Sequence, residues 1–105
     1  MARRSHAASS IDTKVFIFGG IANDQDLSSI EFIDLAAEDS FWATVDVPLF
    51  TMRSYSIVGQ TSKDHIAIIG GYHCEDEEVV YNKDFLSFDT RQMTSKSFKC
   101  NYHEI

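Results

Sequence analysis

The chain writes one short phrase twice. Lys14-Val15-Phe16-Ile17-Phe18-Gly19-Gly20 returns as His65-Ile66-Ala67-Ile68-Ile69-Gly70-Gly71, and Gly19 and Gly70 are 51 residues apart. Self-similarity at that spacing constrains the fold more than any local propensity. Each copy must be one supersecondary unit that buries its apolar side on its neighbour.

The flanking residues repeat as well. Arg4-Ser5-His6-Ala7 precedes the first glycine pair, and Arg53-Ser54-Tyr55-Ser56 precedes the second. Downstream, Ile30-Glu31-Phe32-Ile33-Asp34 and then Trp42 answer to Phe85-Leu86-Ser87-Phe88-Asp89 and then Phe98. Arg to Gly spans 15 and 17 residues, Gly-Gly to Asp 14 and 18, and Asp to the aromatic 8 and 9. The anchors keep their order while the distances change, as loops do on a fixed frame of short strands.

This set of residues resembles the kelch motif: an Arg near the first strand, a hydrophobic strand ending in Gly-Gly, an aromatic or apolar residue before Asp, and a Trp several positions on. Ile33 stands where the family usually has Tyr; the second copy has Phe88 there and Phe98 in place of the Trp. The resemblance covers almost the whole chain at the roughly 50-residue kelch period. It implies an all-β fold, two four-stranded antiparallel blades of a kelch-type β-propeller, which is an incomplete propeller. The repeats would occupy residues 1–48 and 49–105. Gly19, Gly20, Asp34, Trp42, Gly70, Gly71, Asp89 and Phe98 would form the structural frame.

The residues themselves support strands. Val15 to Phe18 is apolar at every position, the pattern of a strand covered on both faces. The small residues Ser5 to Ser10 suit an innermost strand, with an unstructured Ser/Ala-rich start as the competing reading. Ile11 to Thr13 reads as a tight turn and Ile21 to Ser28 as a polar loop. Ser29 to Ile33 and Trp42 to Val45 read as the third and fourth strands, with Trp42 packed over the open side of the sheet. The second copy gives strands at Arg53 to Val58, Ile66 to Ile69, Asp84 to Phe88 and around Phe98. Asp34 to Ser40 reads as a turn, and helical periodicity competes only at Asp34 to Ala43. The single proline, Pro48, falls between the repeats, where no ladder hydrogen bond is needed.

Size and charge bound the function. A chain of 105 residues is one small domain or part of a larger one. A net charge of −7 disfavours nucleic-acid backbones and anionic membranes, and leaves a protein partner, for which a basic surface would suit. The apolar runs stop after five or six residues, far short of a membrane span. No apolar core follows the basic start, so a secretory signal is not expected. Two cysteines build no disulfide framework and fit a reducing compartment, giving a cytoplasmic expectation.

Propellers close with 4 to 8 blades, and repeat arrays generally need three or more units. Two blades would therefore expose apolar faces. The chain would be a fragment of a longer protein, the favoured reading, or would take missing blades from other polypeptides, or three copies would close a ring.

In such a meander the loops between second and third strands share one face with the inter-blade links. That gathers Asn23, Asp24, Asp26 and Asp46 with Tyr72, His73, Glu75, Asp76, Glu77 and Glu78 on a single side. The sharp reading is an acidic face for a basic partner; the plain one is charge that keeps the protein soluble. Arg4 and Arg53 are expected to point from the inner strands towards the central cavity. The kelch resemblance implies arginines that hold acidic peptides there, while a structural pairing with a loop carboxylate or carbonyl serves equally. His73, Cys74, Cys100 and His103 match no compact zinc spacing, so neither metal nor cofactor is assigned. No nucleophile, phosphate loop or paired-carboxylate signature stands out. The leading expectation is a non-catalytic protein-interaction module. A segment of a kelch-type enzyme, oxidase or sugar epimerase, and a self-assembling ring are the alternatives.

Overall fold

The computed structural model describes residues 3–45 and 53–99. These hold twelve β-strands and no helix. The first half contains β1 (Ala7–Ile11), β2 (Lys14–Phe18), β3 (Ile21–Ala22), β4 (Gln25–Asp26), β5 (Ile30–Asp34) and β6 (Ala43–Thr44). The second contains β7 (Ile57–Ser62), β8 (His65–Ile69), β9 (Tyr72–Glu75), β10 (Glu78–Tyr81), β11 (Asp84–Asp89) and β12 (Thr94–Lys99). Two four-stranded antiparallel sheets result, in the orders β1-β2-β5-β6 and β7-β8-β11-β12. Each is an up-and-down blade, and their inner strands β1 and β7 lie side by side. The repeat is all-β, as expected, and forms two blades of an incomplete propeller.

Two details differ from the sequence reading. The polar loop at 21–28 is a small hairpin, β3 with β4, and its counterpart is the longer hairpin of β9 and β10. These hairpins occupy six and ten residues, which accounts for the whole four-residue difference in Gly-Gly to Asp spacing. Between β5 and β6 the chain turns without forming a helix, as the turn reading from Asp34 to Ser40 expects. The first strand of the second blade starts at Ile57 and runs to Ser62, because Arg53 and Ser54 are drawn into contacts at its head. Pro48, Asp46 and the predicted divide between 48 and 49 lie outside the described residues, as do Cys100 and His103.

Strand alternation decides what is buried. In β2 the pleat puts Phe16 and Phe18 on one face and Val15 and Ile17 on the other. Phe16, Phe18 and Ile30 are at most 1% exposed and meet Ile66, Ile68, Leu86 and Phe88 of the second blade, all 0% exposed. Phe88 is wedged edge-on against two rings, 5.4 Å from Phe16 and 5.6 Å from Phe18. That edge-to-face packing aligns the positive ring edge with the negative ring face. Burial of each such side chain is worth about 1.5–3 kcal/mol, so this seam is the core of the molecule.

The two outward faces are unequal. On blade 2, Ile57, Ile69, Phe85 and Phe98 pair in one row across all four strands. Three of them stay 43–72% exposed, and Phe85 stacks on Phe98 at 4.9 Å. On blade 1, Val15, Ile17 and Ile33 are half-covered, and Trp42 lies over a shallow cavity with Arg3, His6, Ile17 and Glu31. Trp42 stands just ahead of β6 and is 48% exposed, so it covers the open side only in part.

Strand register also corrects an equivalence. Phe98 pairs with Phe85, which answers to Ile30, and Ile30 accepts a hydrogen bond from the Val45 N–H. Phe98 therefore corresponds to Val45, and the position matching Trp42 is Ser95. The similar Asp-to-aromatic distances hide side chains on opposite faces of their blades.

Candidate functional site

The hairpins that extend each blade on one face build the site. Asn23 and Asp24, with φ of 51° and 60°, turn the first; Asp76 and Glu77, with φ of 51° and 65°, turn the second. Two successive left-handed residues make the tight turn whose twist matches a hairpin. Asp and Asn adopt that backbone readily, Glu less so.

Backbone and side chains fasten the two hairpins together. The Gly20 N–H donates to the Arg53 carbonyl at 2.8 Å, the Arg53 N–H to the Leu27 carbonyl at 3.0 Å, and the Tyr55 N–H to the Ser5 carbonyl at 2.9 Å. Asp26 accepts from the Cys74 N–H at 2.7 Å and from the Ser54 hydroxyl at 3.4 Å. Asp26 is thus a brace between blades, and the loop face is one connected piece.

The arginines of the motif are structural. Arg53 is 0% exposed; its guanidinium donates to both Asp84 oxygens at 3.0 and 3.1 Å and to the Gly70 carbonyl at 3.3 Å. Its guanidinium makes the pairing with a carboxylate and a carbonyl that the sequence reading offers as the alternative to an acidic peptide. Its counterpart is Arg3 rather than Arg4. The bridges Arg4–Ile21 and Ser54–Tyr72 place Arg4 opposite Ser54 in the repeat. Arg3 donates to the Gly19 carbonyl at 2.7 Å and pairs with Glu31 at 3.1 Å, with its side chain 3% exposed. Arg4 is on the surface, 3.9 Å from Asp24, whose side chain is 99% exposed.

The frame aspartates hold turns. Asp34 accepts from the Thr13 hydroxyl at 2.7 Å and the Ala36 N–H at 3.0 Å. The Thr13 hydroxyl, and then the Ala36 N–H, hold its carboxyl below the ordinary value of 3.8. Asp89 accepts from the Arg91 and Gln92 N–H groups, and the Gln92 bond leads in lowering it likewise.

The acidic residues gather in the second hairpin. Glu75 and Glu78 face each other across β9 and β10, with Asp76 and Glu77 in the turn between them. Like charges directly opposite repel. His73 lies 3.5 Å from Glu75 and shares a hydrogen bond of 3.0 Å with Asn82. Its side chain is only 13% exposed, so it supports the hairpin more than it faces outward. Among the described residues no three His, Cys, Asp or Glu side chains are grouped to hold a metal ion. His73 and Cys74 are neighbours on one strand and so point to opposite faces.

One group escaped the sequence reading. Tyr55 stacks on Tyr72 at 5.2 Å, and Tyr72 meets its cross-strand partner Tyr81 at 6.0 Å. Of the three, the sequence reading picks out Tyr72 alone. Burial pushes the Tyr72 hydroxyl above its ordinary 10.0, and the Tyr55 phenol adds to this. Apart in sequence, these rings meet only through the isolated bridge at Ser54 and the hairpin register.

Comparison with known proteins agrees with this architecture. Residues 2–49 match the kelch motif family. A stretch of 44 residues, 42% of the chain, is 46% identical to the tRNA wybutosine-synthesizing protein 2/3/4 of Arabidopsis thaliana. The solved structure of YjhT superposes on 93% of the chain with a TM-score of 0.76 and 13% identity. The chain spans 4% of the length of the Arabidopsis protein and 28% of the YjhT chain.

Proposed function

We propose, from the premise that this is a kelch-repeat protein with two blades of a β-propeller, that it is a non-catalytic protein-interaction segment. Its loop face would receive a basic partner in the cytoplasm, and the acidic hairpin of β9 and β10 is the element we assign to it. Kelch repeats generally mediate protein–protein interactions, and a rigid sheet with variable loops is a common platform for binding. The observation that carries the reading is the fastening of this hairpin. Four exposed carboxylates stand at the tip of a two-stranded arm whose backbone Asp26 and Arg53 tie to the other blade. A backbone already fixed has less conformational freedom to lose on binding.

The test is capture of a basic polypeptide by the chain and by the variant E75S/D76S/E77S/E78S. Recovery should fall sharply in the variant and with added salt. Unchanged recovery would reject the acidic face.

The exposed row Ile57–Ile69–Phe85–Phe98 favours a further element of this reading. Such a row belongs against another sheet, so further blades, from a longer chain or other subunits, would cover it. Light scattering decides between these sources for the isolated chain: a stable threefold mass supports a ring of copies, a monomer excludes it. The competing reading, a portion of an enzyme, draws on the likeness to a protein named for wybutosine synthesis.

A further inference from the structure

We propose that Tyr55, Tyr72 and Tyr81 form an aromatic ledge that takes the guanidinium of an arginine-bearing peptide segment. This rests on the acidic-face reading and names its anchoring chemistry. The repeat itself provides the first argument. By strand register the three tyrosines answer to Ser5, Ile21 and Asp26 of the first blade. The blade therefore folds without aromatic rings at these positions, and the three rings are an addition made once.

Their exposure is the second argument. Tyr55 is 55% and Tyr81 69% exposed, and Val79, on the same face of the hairpin as Tyr72 and Tyr81, is 52% exposed. Tyr55 sits at φ 58°, an uncommon conformation for a bulky residue. Ser5 shares it at φ 57° and accepts the Tyr55 N–H, so the joint between blades holds the ring up. Tyr72 backs it, leaving one face of Tyr55 open to solvent.

Charge selects the occupant. A tyrosine ring presents a negative face that attracts a cation lying over it. Asp26 is beside the ledge, bonded to Cys74 of the same strand, and Asp76 and Glu77 turn the hairpin four residues along from Tyr72 and Tyr81, while Glu75 and Glu78 fall on the hairpin's other face. Four residues are about 13 Å, which four extended peptide residues span. An anionic peptide would meet repulsion at both ends. A planar guanidinium stacks on a ring while its edge N–H groups remain free for carboxylates, which an ammonium cannot do.

The experiment is titration of the full chain with hexa-arginine, hexalysine and hexaglutamate, read by calorimetry and tyrosine fluorescence. Hexa-arginine should bind roughly 2- to 5-fold tighter than hexalysine. The double variant Y55L/Y81L should abolish that preference and keep the salt-sensitive remainder, whereas E75S/D76S/E77S/E78S should weaken both cationic peptides alike. If the double variant loses its β-sheet circular dichroism, Tyr81→Leu alone carries the test, with a reduced preference expected. Equal binding of the two cationic peptides, or a preference that survives loss of the tyrosines, overturns the ledge and leaves the acidic face standing. Failure of both cationic peptides to bind, or tighter binding of hexaglutamate, overturns both.

Discussion

A methyl group added at Gly19 would stand 2.3 Å from the carbonyl of Arg53; at Gly70, the same place in the second repeat, no atom lies within 4 Å. Both glycines are left-handed, at φ of 61° and 68°, so the backbone alone does not separate them. The contrast runs through the molecule. Phe16 and Phe18 of the first blade are sealed by the second, while Ile69, which answers to Phe18, is 43% exposed. The two blades differ because the features of the motif serve the joint between units as much as the unit. The first blade shows them at work, and the second shows them with that neighbour's place open.

Mutations should break this contrast in proportion to burial. Phe88→Ala removes a ring fixed between two others and should cost about 3–5 kcal/mol in urea unfolding. Phe98→Ser, on the open face of the same blade, should cost only the stack on Phe85, about 0.5–1.5 kcal/mol, and lower any tendency to self-associate. Equal losses would mean that the open face is covered in solution. Arg53→Met takes the guanidinium from Asp84 and leaves it the Ser97 hydroxyl at 3.0 Å, and about 3 kcal/mol is expected from breaking a pair of this kind. Arg4→Met, at a surface ion pair, should change stability by less than about 1 kcal/mol. Gly19→Ala should be worse than Gly70→Ala by about 1–3 kcal/mol, since both carry left-handed strain but only the first meets a neighbour.

The smallest effect is one on which the blades should agree. Asp34 and Asp89 titrate below their ordinary value of 3.8 in the folded chain. Their stabilisation is complete above the unfolded value and is lost as pH falls through the folded one. The melting temperature should therefore decline below about pH 4. Asp34→Asn and Asp89→Asn should each flatten that decline. An acid slope carried by one blade alone would break the symmetry.

Much of this was legible in the chain. The doubled Gly-Gly phrase points to the two sheets, while unbroken apolarity at Val15 to Phe18 implies a strand covered on both faces, and only the Phe16 and Phe18 face is sealed, Val15 and Ile17 being half-covered. The hairpins escape a sequence reading because two-residue strands such as Ile21–Ala22 are held by residues distant in sequence, Arg4 through the backbone at Ile21 and Cys74 through Asp26, although Asn23-Asp24 is a turn signal. Arg4 was preferred to Arg3 since spacing cannot tell which of two adjacent side chains turns under the Gly19 carbonyl; only the bridge to Ile21 can. Trp42 and Phe98 were aligned by distance from Asp, a measure blind to a change of face when turn lengths vary. The tyrosine ledge joins residues 26 positions apart at its extremes, and no local pattern encodes it.

Arg53 has one further consequence. Its main chain bonds to Gly20 and Leu27 of the first blade, while its side chain bonds to Gly70 and Asp84 of the second. Consecutive units therefore overlap like roof tiles instead of abutting like bricks. A cut made between the repeats would tear a residue that belongs to both, so the smallest piece of this chain able to keep its shape is longer than one period of its own sequence.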